Sequence, residues 1–210
     1  MVVLDSHKGE QLVRIIRWIN SCGWSPATST NYSFRNSNGP LSIAISQSGV
    51  DKSEFEFKHL MLIDGEGTPL PSFSKLKSSA ETLLHTVLYQ ENAEINVILH
   101  THSIYGTILS QHFLSEGELL LEGYEVLKGI ANNKTHEVKV PVPIFPNSQD
   151  IASLSEDFRI LYSKNPEMQA YLIAGHGLYT WGKTMEEAKR QLEVFEFLLE
   201  CEYRKMLLSK

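Results

Sequence analysis

His100-Thr101-His102, at the end of the apolar run Val97-Ile98-Leu99, is the stretch whose residue types and spacing could do chemistry. In an extended strand the side chains at i and i+2 point to the same side. The two imidazoles then aim at one point, the geometry needed to share a divalent metal. A third imidazole, His176, stands far downstream between Gly175 and Gly177, where the backbone is free to turn sharply and to pack close to a ligand. If the three converge and one coordination position stays open, the result is a catalytic site of the kind zinc forms. The blander alternative for the pair is a strand end with one exposed and one hydrogen-bonded histidine. The Gly-His-Gly after a second apolar strand favours the metal. His7, His59, His85, His112 and His136 have no paired context and read as surface or helix-end histidines.

The elements that must position these groups are legible in outline. Lys8 to Ser21 predicts a helix with Leu12, Ile15, Ile16 and Ile19 on one face, stopped at Gly23. Short strands are predicted at Tyr32–Arg35, Leu41–Ser46 and His59–Ile63, with Asp64-Gly65-Glu66-Gly67 as a turn between hairpin partners. A helix over Ser79–Gln90 leads into the strand Ile95–His100, and Ser103–Gln111 is helical again. A strand near Lys139–Ile144 contains two prolines, so it is an edge strand or has a ragged end. Asp150–Ser163 is a helix, Gln169–Ala174 a strand, and the last helix starts at Thr184 with Glu187 placed for a capping box. Hairpins mixed with helices predict a largely antiparallel sheet covered by helices.

The chain has 210 residues, 42% of them hydrophobic, enough for one sizeable core, and one domain over 1–210 is the default reading. A formal charge of -6 argues against a nucleic-acid binder. No apolar stretch approaches a membrane span, and the N-terminus lacks the features of a secretory signal. Cys22 and Cys201 form no CxxC pair and read as small buried or half-buried groups in a reduced, cytoplasmic protein.

Two glutamates compete for proton transfer. Glu125 follows Tyr124 and precedes Val126 and Leu127; such apolar surroundings would raise its pKa towards neutrality, the alternative being a solvated glutamate before a short helix. Glu81 closes the pattern Ser78-Ser79-Ala80-Glu81, in which it would simply cap a helix. Glu91, Glu94, Glu116, Glu118 and Glu122 read as solvated charges. Three loops suit an anion without a basic cluster, through hydroxyls, backbone N–H groups and a helix N-terminus: Thr28-Ser29-Thr30-Asn31, Ser48-Gly49 and Ser78-Ser79. Each also reads as ordinary turn or cap chemistry.

Gly-Trp-Ser-Pro-Ala-Thr-Ser at 23–29, His100-Thr101-His102-Ser103, Gly-Tyr-Glu-Val-Leu-Lys-Gly at 123–129 and Ala-Gly-His-Gly-Leu-Tyr-Thr-Trp-Gly at 174–182 together resemble the class II aldolase/adducin-head family, in order and over nearly the whole chain. The first and last of these stretches resemble the sugar-phosphate dehydratases within it more than the aldolases. The resemblance implies a three-layer α/β/α fold around a mixed, mainly antiparallel sheet. It also implies one zinc per subunit on His100, His102 and His176, and a homotetramer with active sites near subunit interfaces.

The activity it implies is dehydration of a phosphorylated ketose: a proton leaves the carbon beside the carbonyl, a hydroxyl leaves the next carbon, and a Lewis acid stabilises the developing enediolate. Glu125 matches the acid/base position of the dehydratases, and Glu81 that of the related aldolases, which cleave a carbon–carbon bond; an epimerase is a further option on the scaffold. Asn31, Ser48, Gly49, Ser78 and Ser79 match phosphate-binding positions, and Lys52 could add charge. The metal-free interaction heads of the family predict degraded ligands, which this chain does not have. One departure stands out. The family often has glycine before the asparagine, where this chain has Thr30. A β-branched residue disfavours positive φ, so either the loop does not need that conformation or the phosphate pocket is altered.

Overall fold

The computed structural model describes residues 2–38 and 40–208. Its elements are, in chain order, α1 (Ser6–Ser21), β1 (Tyr32–Asn38), β2 (Leu41–Ser46), β3 (Leu60–Asp64), α2 (Thr82–Glu91), β4 (Val97–Thr101), α3 (Ile104–His112), β5 (Glu118–Glu122), β6 (Lys139–Phe145), α4 (Ile151–Lys164), β7 (Ala170–Ile173), β8 (Gly177–Gly182) and α5 (Met185–Leu208). The eight strands form one sheet in the order β3-β2-β1-β4-β8-β7-β6-β5. Only β6 and β7 run parallel.

Strand alternation sends each strand's side chains to two separate cores. Val97 and Leu99 of β4 join Leu12, Ile16 and Ile19 of α1, Leu109 of α3 and Leu192, Phe195 and Leu199 of α5. Ile98 joins Leu84 and Leu88 of α2 and Leu154, Phe158 and Tyr162 of α4 on the other face. Helices on both faces make the three-layer α/β/α arrangement that the resemblance implies.

The prolines of β6 explain its pairing. Pro141 and Pro143 pair with β5, while contact with β7 is confined to Ile144 and Phe145, beyond the prolines. β6 is therefore an inner strand with a ragged end, and β5 is the edge. The sequence reading has no strand at β5 or β8. β5 alternates one exposed and one buried residue, with Glu118 and Glu122 on the exposed side, so its charges are solvated as expected while its leucines enter the core. Cys22 is exposed and Cys201 half-buried, so the expectation of burial fails for Cys22. Among the described residues no helix is long and apolar enough to cross a membrane.

The pairings also fix which ends meet. The end of β4, the turn between β7 and β8, the start of β1 and the end of β2 lie at one end of the sheet. β5 begins at that end and finishes at the opposite one, because it is antiparallel to β6 and β6 is parallel to β7.

Candidate active site

His100 is the penultimate residue of β4, and His102 follows one residue past its end. β4 lies between β1 and β8; its pairing with β1 stops at Leu99, and β8 holds the end itself, pairing His100 with Tyr179 and Thr101 with Leu178. His102 is pinned further, its N–H donating to the Trp24 carbonyl at 2.8 Å. His176 arrives from the β7–β8 turn, which depends on two glycines. Gly175 has φ +64°, and a Cβ on Gly177 would stand 1.8 Å from the Thr101 carbonyl oxygen. Only glycine lets this turn lie against the end of β4. The nitrogens that the three histidines offer all lie within 4.8 Å of one another.

The chemistry of these nitrogens fits a divalent metal. Nδ1–H of His100 donates to the Leu178 carbonyl at 2.9 Å, which leaves its Nε2 unprotonated and turned inward. Nε2 of His102 stands 2.8 Å from that atom. The buried Nε2 of His176 has no hydrogen-bond partner, although Glu81 Oε1 is 3.4 Å away. Burial, reinforced by the neighbouring imidazoles, pushes His100 well below the usual histidine range and His102 down to about 3. Neutral imidazoles with free Nε2 lone pairs are the ligand form.

Glu81 closes the cluster. It precedes α2 but does not cap it; its side chain makes no cap hydrogen bond. Instead Oε2 accepts from the Tyr179 hydroxyl at 3.0 Å and from Asn31 Nδ2, and lies 3.9 Å from His100 Nε2. Tyr179 stacks on His100 with ring centroids 3.9 Å apart. The capping-box reading of Glu81 is thus corrected: the carboxylate turns away from the helix end to the three histidines.

The three loops that the sequence reading suggests for an anion meet at the same end. Asn31 Nδ2 donates to Ser79 Oγ at 3.2 Å, and Ser48 N–H to the Lys77 carbonyl at 2.9 Å. Gln47 bridges Ser78, and Gly49 turns with φ +77°. Lys52, fully buried, donates to the carbonyls of Thr28 at 3.3 Å and Val50 at 2.9 Å. Burial lowers its pKa to about 8. Its ammonium group therefore ties two of the loops together.

The family profile of the class II aldolase and adducin N-terminal domain matches residues 10–203. The chain belongs to this family. A methylthioribulose-1-phosphate dehydratase of Picosynechococcus sp. is 46% identical over 95% of this chain and 93% of its own length. One of Marinobacter nauticus is 45% identical over 94% of this chain and 93% of its own. Among solved structures, an L-fuculose 1-phosphate aldolase superposes with a TM-score of 0.79, covering 98% of this chain and 89% of its own at 17% identity. The corresponding aldolase of Thermus thermophilus gives 0.76, with 97% of each chain covered at 20% identity. At such identities the two structures speak to the fold alone.

Two residues of this class II aldolase-family chain depart from expectation. Glu125 opens a short 3-10 turn beyond β5, at the end of the sheet opposite the histidines. β5 also lies four strand positions from β4, about 19 Å sideways at the usual strand spacing. The Glu125 side chain is 72% exposed and pairs with Lys128 and, at 3.2 Å, with His136. The Lys128 ammonium lowers its pKa; the expected upward shift from Val126 and Leu127 is absent because the carboxylate points to solvent. Thr30 takes φ +68°, so the loop does adopt the glycine-type conformation despite the branched side chain.

Sequence reasoning also missed His85. It is fully buried, not a surface or helix-end group, and it contacts Asn31 and Ser33. Its position among the buried residues of α2, the helix that leads into a strand ending in histidines, was the available signal.

Proposed function

We propose that the protein is a cytoplasmic, zinc-dependent hydro-lyase of methionine salvage. It would convert 5-methylthioribulose 1-phosphate to 2,3-diketo-5-methylthiopentyl 1-phosphate. The observation that carries this is the near-half identity to methylthioribulose-1-phosphate dehydratases over almost the full length, together with a complete histidine cluster.

His100, His102 and His176 would hold the zinc, which when bound supplies a Lewis acid for the ketone oxygen. Asn31, Ser48, Gly49, Ser78 and Ser79 would hold the phosphate through hydroxyls and backbone N–H groups, with Lys52 bracing the loops. Holding the phosphate fixes where the reacting carbons fall relative to the carboxylates. The proton beside the ketone leaves to a carboxylate, the neighbouring hydroxyl leaves as water, and the enol becomes the diketone.

Glu125 has the acid/base role on this reading. Its place at the far end of its own sheet means that a second copy must deliver it, which fits a homotetramer with sites between subunits. Zinc-loaded protein incubated with the substrate should release the diketone. Failure to form it would reject the dehydratase.

Glu81 favours a second reading. It stands against the histidines within one chain, where a class II sugar-phosphate aldolase of fuculose- or rhamnulose-phosphate type would use it. Dihydroxyacetone phosphate as product, with Glu81→Gln inactive and Glu125→Gln active, would decide for the aldolase; a 4-epimerase would yield neither product.

A further inference from the structure

A buried row of polar side chains runs behind the site and ends on it. The Tyr89 hydroxyl lies 2.8 Å from Ser33 Oγ, and Ser33 Oγ lies 2.7 Å from His85 Nδ1. His85 Nε2 meets Asn31 Oδ1, and Asn31 Nδ2 meets Glu81 Oε2. Tyr89, Ser33, His85 and Asn31 are all buried.

The direction of each hydrogen bond follows from what each atom can do. A carboxylate oxygen of Glu81 only accepts, so Asn31 turns its NH2 towards it. Asn31 Oδ1 only accepts, so the proton of His85 is on Nε2. Burial drives the His85 pKa down to about 3, so the ring is neutral and its Nδ1 is a lone pair. Ser33 must then donate to Nδ1, which leaves its oxygen to accept from Tyr89. One consistent assignment satisfies the row, with every donor pointing towards Glu81. The second hydrogen of the Asn31 amide goes to Ser79 Oγ at 3.2 Å. The amide therefore joins the carboxylate beside the histidines to the loop read as the phosphate cradle.

We infer that His85 is a positioning residue: its Nε2–H locks the Asn31 amide in the one orientation that directs its two N–H groups to Glu81 and Ser79, so that carboxylate and phosphate loop are set together. The inference takes from the proposed function only that Glu81 and Ser79 belong to the site.

The first test needs no turnover. Protein labelled with 15N-histidine should show His85 as the neutral tautomer with Nε2 protonated and Nδ1 bare. A ring protonated on Nδ1 alone, or on both nitrogens at neutral pH, would overturn the inference whatever reaction the protein catalyses.

The second test compares His85→Phe, which keeps a ring and loses both nitrogens, with His85→Gln, whose amide can place an N–H near Nε2. At equal folding and zinc content, the Phe variant should lose roughly 10- to 100-fold in kcat, with a raised KM, and the Gln variant should recover most of it. Wild-type kcat and KM in the folded Phe variant would overturn the inference. So would equal losses in both variants, the mark of a merely structural residue. Absence of turnover in the wild type would count against the proposed reaction, while the tautomer still decides the role of His85.

Discussion

Thr30 holds a φ of +68° at the edge of the anion loops, a region where a β-branched side chain costs about 1–2 kcal/mol. Its hydroxyl offsets part of that cost through the Tyr32 hydroxyl at 2.7 Å and the Ser29 carbonyl. Two substitutions separate the terms. Thr30→Gly and Thr30→Ala both lose the hydroxyl, but only the alanine keeps a Cβ at positive φ. Glycine should therefore be the more stable of the two by about 1 kcal/mol in denaturant unfolding. That reverses the usual order, in which glycine loses by a similar amount through its freer unfolded chain. An alanine variant as stable as the glycine variant would show that the loop relaxes to negative φ and that the departure from the family glycine has no cost.

At the scale of elements, the site is a contact between two strand ends and the helix beneath them. Gly177 is not a positive-φ glycine; its need is steric, against the Thr101 carbonyl. Gly177→Ala should destabilise the fold by about 3 kcal/mol and lower the divalent metal retained after dialysis, because β4 and the His176 turn must part. On the other face of β4, Glu196 of α5 is buried and accepts from the Thr101 hydroxyl. Burial raises its pKa to about 7, against the bonds from Ser103 and Thr101. Folded protein then keeps a proton that the unfolded chain releases near pH ~4.3, so stability is full below that pH and falls as pH rises through about 7. Glu196→Gln removes this dependence. Relative to the variant, the wild type should lose about 3 kcal/mol between pH ~4 and pH ~8, read from urea midpoints. Parallel pH profiles would show that Glu196 is solvated or paired in both states.

What the sequence revealed follows the same division. β4 was legible because its apolar run ends in the two histidines, and α5 because Thr184 accepts from the Glu187 N–H at 3.1 Å, as the cap pattern predicts. β8 was not, because all six of its residues are buried and no alternation marks them as a strand. β5 was hidden by its glutamates. His85 was hidden because its meaning lies in Ser33 and Asn31, which are more than fifty residues away and reached only through folding.

For the whole molecule, the two glutamates of the sequence reading lie at opposite ends of one sheet. Glu81 is beside the histidines of its own chain, and Glu125 points to solvent with Lys128 and His136. Flexing a 3-10 turn cannot carry a carboxylate across four strands and around the end of a sheet. If Glu125 serves as the acid/base, it therefore serves the histidines of another copy, and the unit of function is an oligomer. Complementation tests this directly. Glu125→Gln subunits keep intact histidines, and His176→Ala subunits keep Glu125; each alone should be inactive. Unfolded together in equal amounts and refolded with zinc, half of the intact histidine clusters should face an intact Glu125. Roughly a quarter of wild-type turnover should then return. Mixed oligomers that form, as seen by differently tagged subunits, yet remain inactive would show that Glu125 does not serve another copy's histidines. A Glu125→Gln enzyme that alone keeps wild-type turnover would remove Glu125 from the reaction and leave Glu81 as the carboxylate that moves the proton.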